Sequence, residues 1–150
     1  VSDITAKVEW LVGSDQALAE VGKKSTQKNI LIRTLKKAAK PIDDEASTLA
    51  PKETGKLEIS IITGTQLTRR QRSSAYKAGT LGVAEVYVGT ALSRGLFQEF
   101  GTFKMPAHPF MRPAWEHNKE KALEIIGAEL WVEIKKAVDR AARKRAKAGI

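Results

Sequence analysis

At 150 residues, with 42% hydrophobic and 29% charged side chains, the chain is expected to form one domain, residues 1–150, with a core of its own. The absence of cysteine excludes disulfides and thiolate chemistry, and apolar runs of only a few residues are too short for a membrane span. Twenty-six lysines and arginines against 17 acids leave a net charge of +9, which favours partners with negative fields, nucleic acid foremost.

Asp3, Lys7 and Glu9 interrupt the N-terminal segment as a signal peptide, so a cytosolic product is expected. In the same segment Ile4, Ala6, Val8, Trp10 and Val12 alternate with mostly polar residues, which predicts a half-buried strand ended by Gly13. Ser14 or Asp15 can cap a following helix. From Leu18 through Leu35, Ile42 and Ala46 to Leu49, apolar residues recur three or four apart and predict one long helix. Ser25 and Lys28 break the stripe near its start, and Pro41 removes a backbone donor inside it. Leu57, Ile59 and Ile61 read as a second strand, and residues 83–88 (VAEVYV) as a third. Between them runs a long, polar and basic loop, residues 64–82, as the extended tip of a hairpin. Trp115, Ala122, Leu123, Ile126, Leu130, Ile134, Ala137 and Val138 mark a last helix, opened by Pro113 and ending near Lys147. The expected fold is therefore α+β, a small antiparallel sheet of three or four strands packed against two long helices.

Lysines and arginines fall in three clusters: residues 23–40, the triplet Arg69, Arg70 and Arg72, and residues 135–147. The two helical clusters read as solvated helix faces or as contacts to a polyanion. The triplet, in a loop, is the first candidate for contact with DNA or with a partner. No catalytic constellation is present. His108 and His117 have no metal-ligand spacing, residues 13–25 miss the phosphate-loop spacing, and no nucleophile elbow occurs. Glu99 is a lone carboxylate and reads as structural. No enzyme activity and no cofactor or metal are expected.

The stretch EFGTFKMPAHPFMRPAW, residues 99–115, holds three of the five prolines. Pro106, Pro109 and Pro113 stiffen it, and Gly101 permits a sharp turn before it. Phe103, Met105, Phe110 and Met111 make it unusually apolar for a loop. Burying one such side chain stabilises by about 1.5–3 kcal/mol, so all four should be covered. The cover is either the chain's own sheet or a neighbouring copy.

The run FQEFGTFKMPAHPFMRPAW, with APKETGKLEISI some forty residues upstream, resembles a family of tailed-phage proteins. These are tail-completion or head–tail joining (neck) proteins, tail components of noncontractile long-tailed phages. The matching positions are Glu99, Phe100, Gly101, Thr102, Met105, Pro106, Ala107, Pro109, Phe110, Arg112, Pro113 and Ala114, with Ala50, Pro51, Thr54, Gly55, Leu57 and Ile61 upstream. The layout is shared from about residue 18 to the C-terminus, the specific motifs only in these two windows, and loop 64–82 departs from the pattern. The resemblance implies a structural virion protein in the tail or neck, assembled in the host cytoplasm. It implies a homo-oligomeric ring, six subunits being the expected number, with a tail terminator, tail tube or head-closure protein as neighbours. DNA would pass through the lumen, and no membrane is involved. The expected subunit contacts are Phe100, Gly101, Thr102, Phe103, Met105, Pro106, Pro109, Phe110, Met111, Arg112 and Pro113. The competing reading is a free, non-sequence-specific nucleic-acid-binding protein using its basic helices.

Overall fold

The computed structural model describes residues 18–19, 21–52, 55–74 and 84–149. Helix α1 spans Lys24–Leu49 and runs on through Pro41. Its start lies later than the apolar stripe predicts. Gly22 sits at φ +85°, a left-handed conformation that separates the helical residues at 18–19 from the rod. A 3-10 turn at Glu58–Ser60 leads into strand β1, Ile61–Gly64. The short helix α2 is Arg69–Ser74, strand β2 is Tyr87–Thr90, and helix α3 is Ser93–Phe100. Helix α4, Met111–Lys147, is the longest element.

The sheet has two antiparallel strands, with Ile61 opposite Thr90 and Gly64 opposite Tyr87. Three or four strands are expected from the sequence; among the described residues there is no larger sheet than this pair. The alternating segment at residues 4–12 lies outside them. The expected strand over residues 57–61 is mostly turn. Leu57 and Ile61 are 3% and 6% exposed, whereas Ile59 is 80% exposed, and a strand would place all three on one face. The Ser60 hydroxyl donates to the Leu57 carbonyl and meets the Thr90 hydroxyl, holding the turn against β2. Loop 64–82 is not wholly irregular, because α2 occupies part of it. Pro113 is the third residue of α4 rather than the first, still within the turn whose amides have no helical acceptor.

Helices α1 and α4 pack antiparallel. Glu45 of α1 binds His117 Nδ1 at 2.5 Å and the Asn118 amide near the start of α4. Further along, Lys37 meets Glu129 at 2.5 Å and Arg33 meets Glu133 at 3.7 Å. The pair buries two clusters. The larger, beneath the sheet, joins Ala38, Ile42, Ala46, Leu57, Ile61, Phe110 and Ala114 among others. The smaller, toward the other end, is Ile30, Leu130, Ile134 and Ala137, flanked by Leu18, Val21, Leu31 and Val138. Alanines on both helices let the two backbones approach closely, so a narrow two-helix layer can bury its seam without large side chains. No described helix is long and apolar enough to cross a membrane.

Candidate assembly surface

Residues 92–112 form a cap over the sheet end of the helix pair. The periodicity behind α3 is plain once located. Leu92, Leu96 and Phe100 fall four apart, with Phe97 beside them. These side chains face outward, at 42%, 52%, 63% and 48% exposure. The inner face of α3 is made by Gly95 and Glu99, both buried. A Cβ on Gly95 would meet the Thr90 methyl at 2.4 Å, with Leu57 and Phe110 just behind, so only glycine lets α3 lie this close to β2 and the core.

Glu99 ties the cap to α4. Its carboxylate accepts the backbone N–H groups of Phe110 (2.8 Å), Met111 (2.9 Å) and Arg112 (3.1 Å). It also takes the Arg112 Nε at 2.9 Å, while the Arg112 guanidinium donates to the Glu99 carbonyl at 3.0 Å. Phe110, at the cap position of α4, supplies no side-chain acceptor, so a carboxylate eleven residues earlier does the capping. Burial by itself would raise the Glu99 carboxyl. The three amides and the guanidinium outweigh it and hold Glu99 below the usual carboxylate range. The helix dipole favours the same charged state. Glu99 is thus structural, as its isolation from other acids implies.

Gly101, at φ +74°, turns the chain sharply after α3. A Cβ there would strike the Ala107 amide nitrogen at 2.8 Å. Thr102 and Met105 exchange backbone hydrogen bonds of 2.8 and 3.2 Å, leaving Phe103 and Lys104 at the tip of a tight turn. The His108 N–H donates to the Gln98 carbonyl at 2.7 Å and pins the proline segment back on α3. Phe103 is fully exposed, at 102%.

The four apolar side chains of the arm therefore separate. Phe110 is 1% exposed and belongs to its own chain's core, which removes it from any docking surface. Met105 and Met111 are half-buried, and Phe103 stands alone in solvent. Among the other expected contact residues, Thr102, Pro106, Pro109 and Arg112 are exposed, Gly101 and Pro113 half-buried. Phe100 is exposed with the Arg112 guanidinium 5.2 Å from its ring centre. Leu92, Leu96 and Phe97 are additions that sequence reasoning missed. The 3–4 spacing could have found them.

Arg69, Arg70 and Arg72 lie on α2, all exposed, beside this cap rather than near the helical basic clusters. Arg70 reaches the Ser93 hydroxyl at 3.5 Å, and Gln71 donates to the Thr90 carbonyl at 3.0 Å. A groove of about 420 Å³ runs between α2 and α3, lined by Arg70, Gln71, Leu96, Phe100 and Arg112 among others. On the other side of Met111, a second groove of about 360 Å³ lies between α1 and α4. It is walled by Leu35, Val86, Val88, Trp115, Leu123 and Ile126, with Lys119 as its charged member. Among the described residues no group of three or more His, Asp or Glu could hold a metal.

A family model described as "Bacteriophage HK97-gp10, putative tail-component" matches residues 15–101, which takes in α1, the sheet and α3 but stops at the turn before the proline segment. No curated protein and no solved structure matches the chain. With more than half of its length matched, the chain belongs to the HK97-gp10-like family of phage tail components.

Proposed function

We propose that this protein is a structural subunit, without catalytic activity, that closes into a homo-oligomeric ring at the head–tail junction or the top of the tail tube. Tail terminator, tail tube or head-closure proteins would be its neighbours, and the genome would pass through the ring. Membership of a tail-component family supports the setting. The observation that carries the assembly reading is the exposed apolar line of Leu92, Leu96, Phe97 and Phe100, with a fully exposed Phe103 on the turn that follows it. Contiguous apolar surface of this kind, edged by Arg112 and Arg70, is the composition of a protein–protein contact.

The contact is heterologous, as ring closure requires. Phe103, on a turn braced by Gly101 and Pro106, is the donor. The groove between α1 and α4, with Trp115 and Leu123 half open to solvent at 53% and 38%, is the acceptor on the next copy. A stiff turn loses little freedom on docking, so most of the buried area counts toward affinity. A free nucleic-acid-binding protein would leave this aromatic surface with nothing to cover it.

Sedimentation velocity and negative-stain imaging test the reading. The wild type should form closed rings, and Phe103→Asp and Leu123→Glu should each leave a folded monomer. Mixing the two variants should restore one sound contact per pair and yield dimers but no rings. A Phe103→Asp protein that assembles normally would remove this contact from the account.

A further inference from the structure

The antiparallel pairing of α1 and α4 brings together two basic clusters that the sequence holds about a hundred residues apart. Residues 23–37 carry six lysines and arginines and no acid, and residues 133–147 carry seven against Glu133 and Asp139. This end of the helix pair therefore bears a net +11, and the other 120 residues together bear −2. The two runs therefore account for the net positive charge of the chain.

The site is built, not merely crowded. Glu133 is 6% exposed and lies within 3.7 Å of Arg33, 3.7 Å of Lys37 and 3.4 Å of Lys136. Burial would raise its carboxyl, but Lys136, Lys37 and Arg33 pull it below the usual range, so it remains an anion that orients the cations around it. Arg33 from α1 and Lys136, Arg140 and Arg143 from α4 line one shallow cleft of about 440 Å³, with Asp139 at its edge. The cations themselves are solvent-exposed. Neither stretch contains an aromatic residue or exposes a large apolar one. Protein interfaces are depleted in lysine and centred on aromatic or aliphatic anchors, and single-stranded nucleic acid needs stacking platforms. What remains is a rigid array about 22 Å long, suited to a duplex that presents one phosphate per roughly 1.7 Å of axis.

We propose that this basic end holds the phosphate backbone of duplex DNA without reading its sequence. The proposal deepens the reading of a subunit along the genome's path, yet it rests on the charge distribution and not on ring closure. It moves the DNA contact from Arg69, Arg70 and Arg72, which lie beside the apolar cap, to the far end of the helix pair.

Fluorescence anisotropy of a labelled 20-base-pair duplex tests it, using the full chain over 50–200 mM NaCl. The wild type should bind, weakening steeply with salt. Lys136→Gln/Arg140→Gln/Arg143→Gln should lose at least tenfold in affinity, with a log–log salt slope shallower by about 2.7, or 0.9 per phosphate contact. Lys24→Gln/Lys28→Gln should act in the same direction from the other helix. Arg69→Gln/Arg70→Gln/Arg72→Gln should bind like wild type. Absence of binding at 50 mM salt, or unchanged binding by the α4 triple variant, overturns the proposal. So does equal competition by a poly-glutamate peptide, which would mark an acidic protein as the partner. Running the same titration on Phe103→Asp separates the two readings, since that variant should bind DNA whether or not rings form.

Discussion

At the sheet end, α1 and α4 enclose a core that includes Leu57, Ile61 and Phe110, and α3 covers it with Glu99 locking the cap in place. At the opposite end the same two helices bury a smaller apolar cluster of Ile30, Leu130, Ile134 and Ala137, and salt bridges from Arg33, Lys37 and Lys136 converge on Glu133 beside that seam. One end exposes phenylalanines, the other lysines and arginines. On the two readings proposed above, one helix pair would hold two binding chemistries apart. Apolar surface needs a rigid backing to stay available without collapsing inward, and the larger core and the carboxylate cap supply it. A phosphate-binding array needs only spacing and solvent-exposed charge, which a lightly packed two-helix seam provides.

The largest effect should separate two phenylalanines of the same arm. Phe110→Asp is expected to remove at least about 4 kcal/mol of stability, since it empties a core site and buries a charge. Phe103→Asp should stay within about 0.5 kcal/mol of wild type while abolishing assembly. Urea unfolding followed by circular dichroism reads both. A tolerated Phe110→Asp would mean that the sheet end is not the anchor described here.

Next in size is the cap itself. Glu99→Gln keeps one acceptor oxygen but turns an amide group toward three backbone donors and a guanidinium, at a cost of about 2–4 kcal/mol. The same charge sets the acid limit. With the folded Glu99 and Glu133 carboxyls below their unfolded values, the unfolded chain binds more protons in acid. Stability is then full above the ordinary carboxylate range, near pH 4.3, and falls as pH drops through the folded values. Urea midpoints measured from pH 7 to pH 3 should show this fall, with a shallower slope in Glu99→Gln. An equally steep slope in that variant would shift the acid sensitivity to other carboxylates.

The smallest expected change lies at the basic end. Thr34 is 1% exposed, and its hydroxyl has no hydrogen-bond partner in the structure. Thr34→Val removes an unsatisfied buried polar atom and should raise stability by about 1 kcal/mol, read as a higher urea midpoint. A decrease would show that the hydroxyl is satisfied in solution.

Local pattern sufficed wherever a long run of residues shared one environment. The apolar stripes of α1 and α4 span many turns, so their period is unambiguous, and the end of α4 near Lys147 follows from it. The hairpin arrangement around the basic loop was legible but not its strands, which lie at Ile61–Gly64 and Tyr87–Thr90 rather than at residues 57–61 and 83–88. Short segments were not. Over five residues, Leu57 and Ile61 satisfy a strand's face and a helical turn equally well, and only the exposure of Ile59 decides between them. Helix α3 was hidden because its buried face consists of Gly95 and Glu99, neither of them apolar side chains that would mark an inward stripe.

The amino-acid order by itself thus determined two long helices, a basic composition, a stiff proline-braced turn and a likeness to phage tail proteins, because each depends on neighbours within a few turns of chain. Tertiary structure alone decided that Phe110 goes inside while Phe103 stays out, and that Glu99 serves a helix beginning twelve residues later. It also decided that Arg33 of one basic run lines the same cleft as Lys136, Arg140 and Arg143 of the other. Those outcomes depend on which helix faces meet and in which direction, and that is set by the packing of alanine-rich seams across sixty intervening residues, not by any local preference.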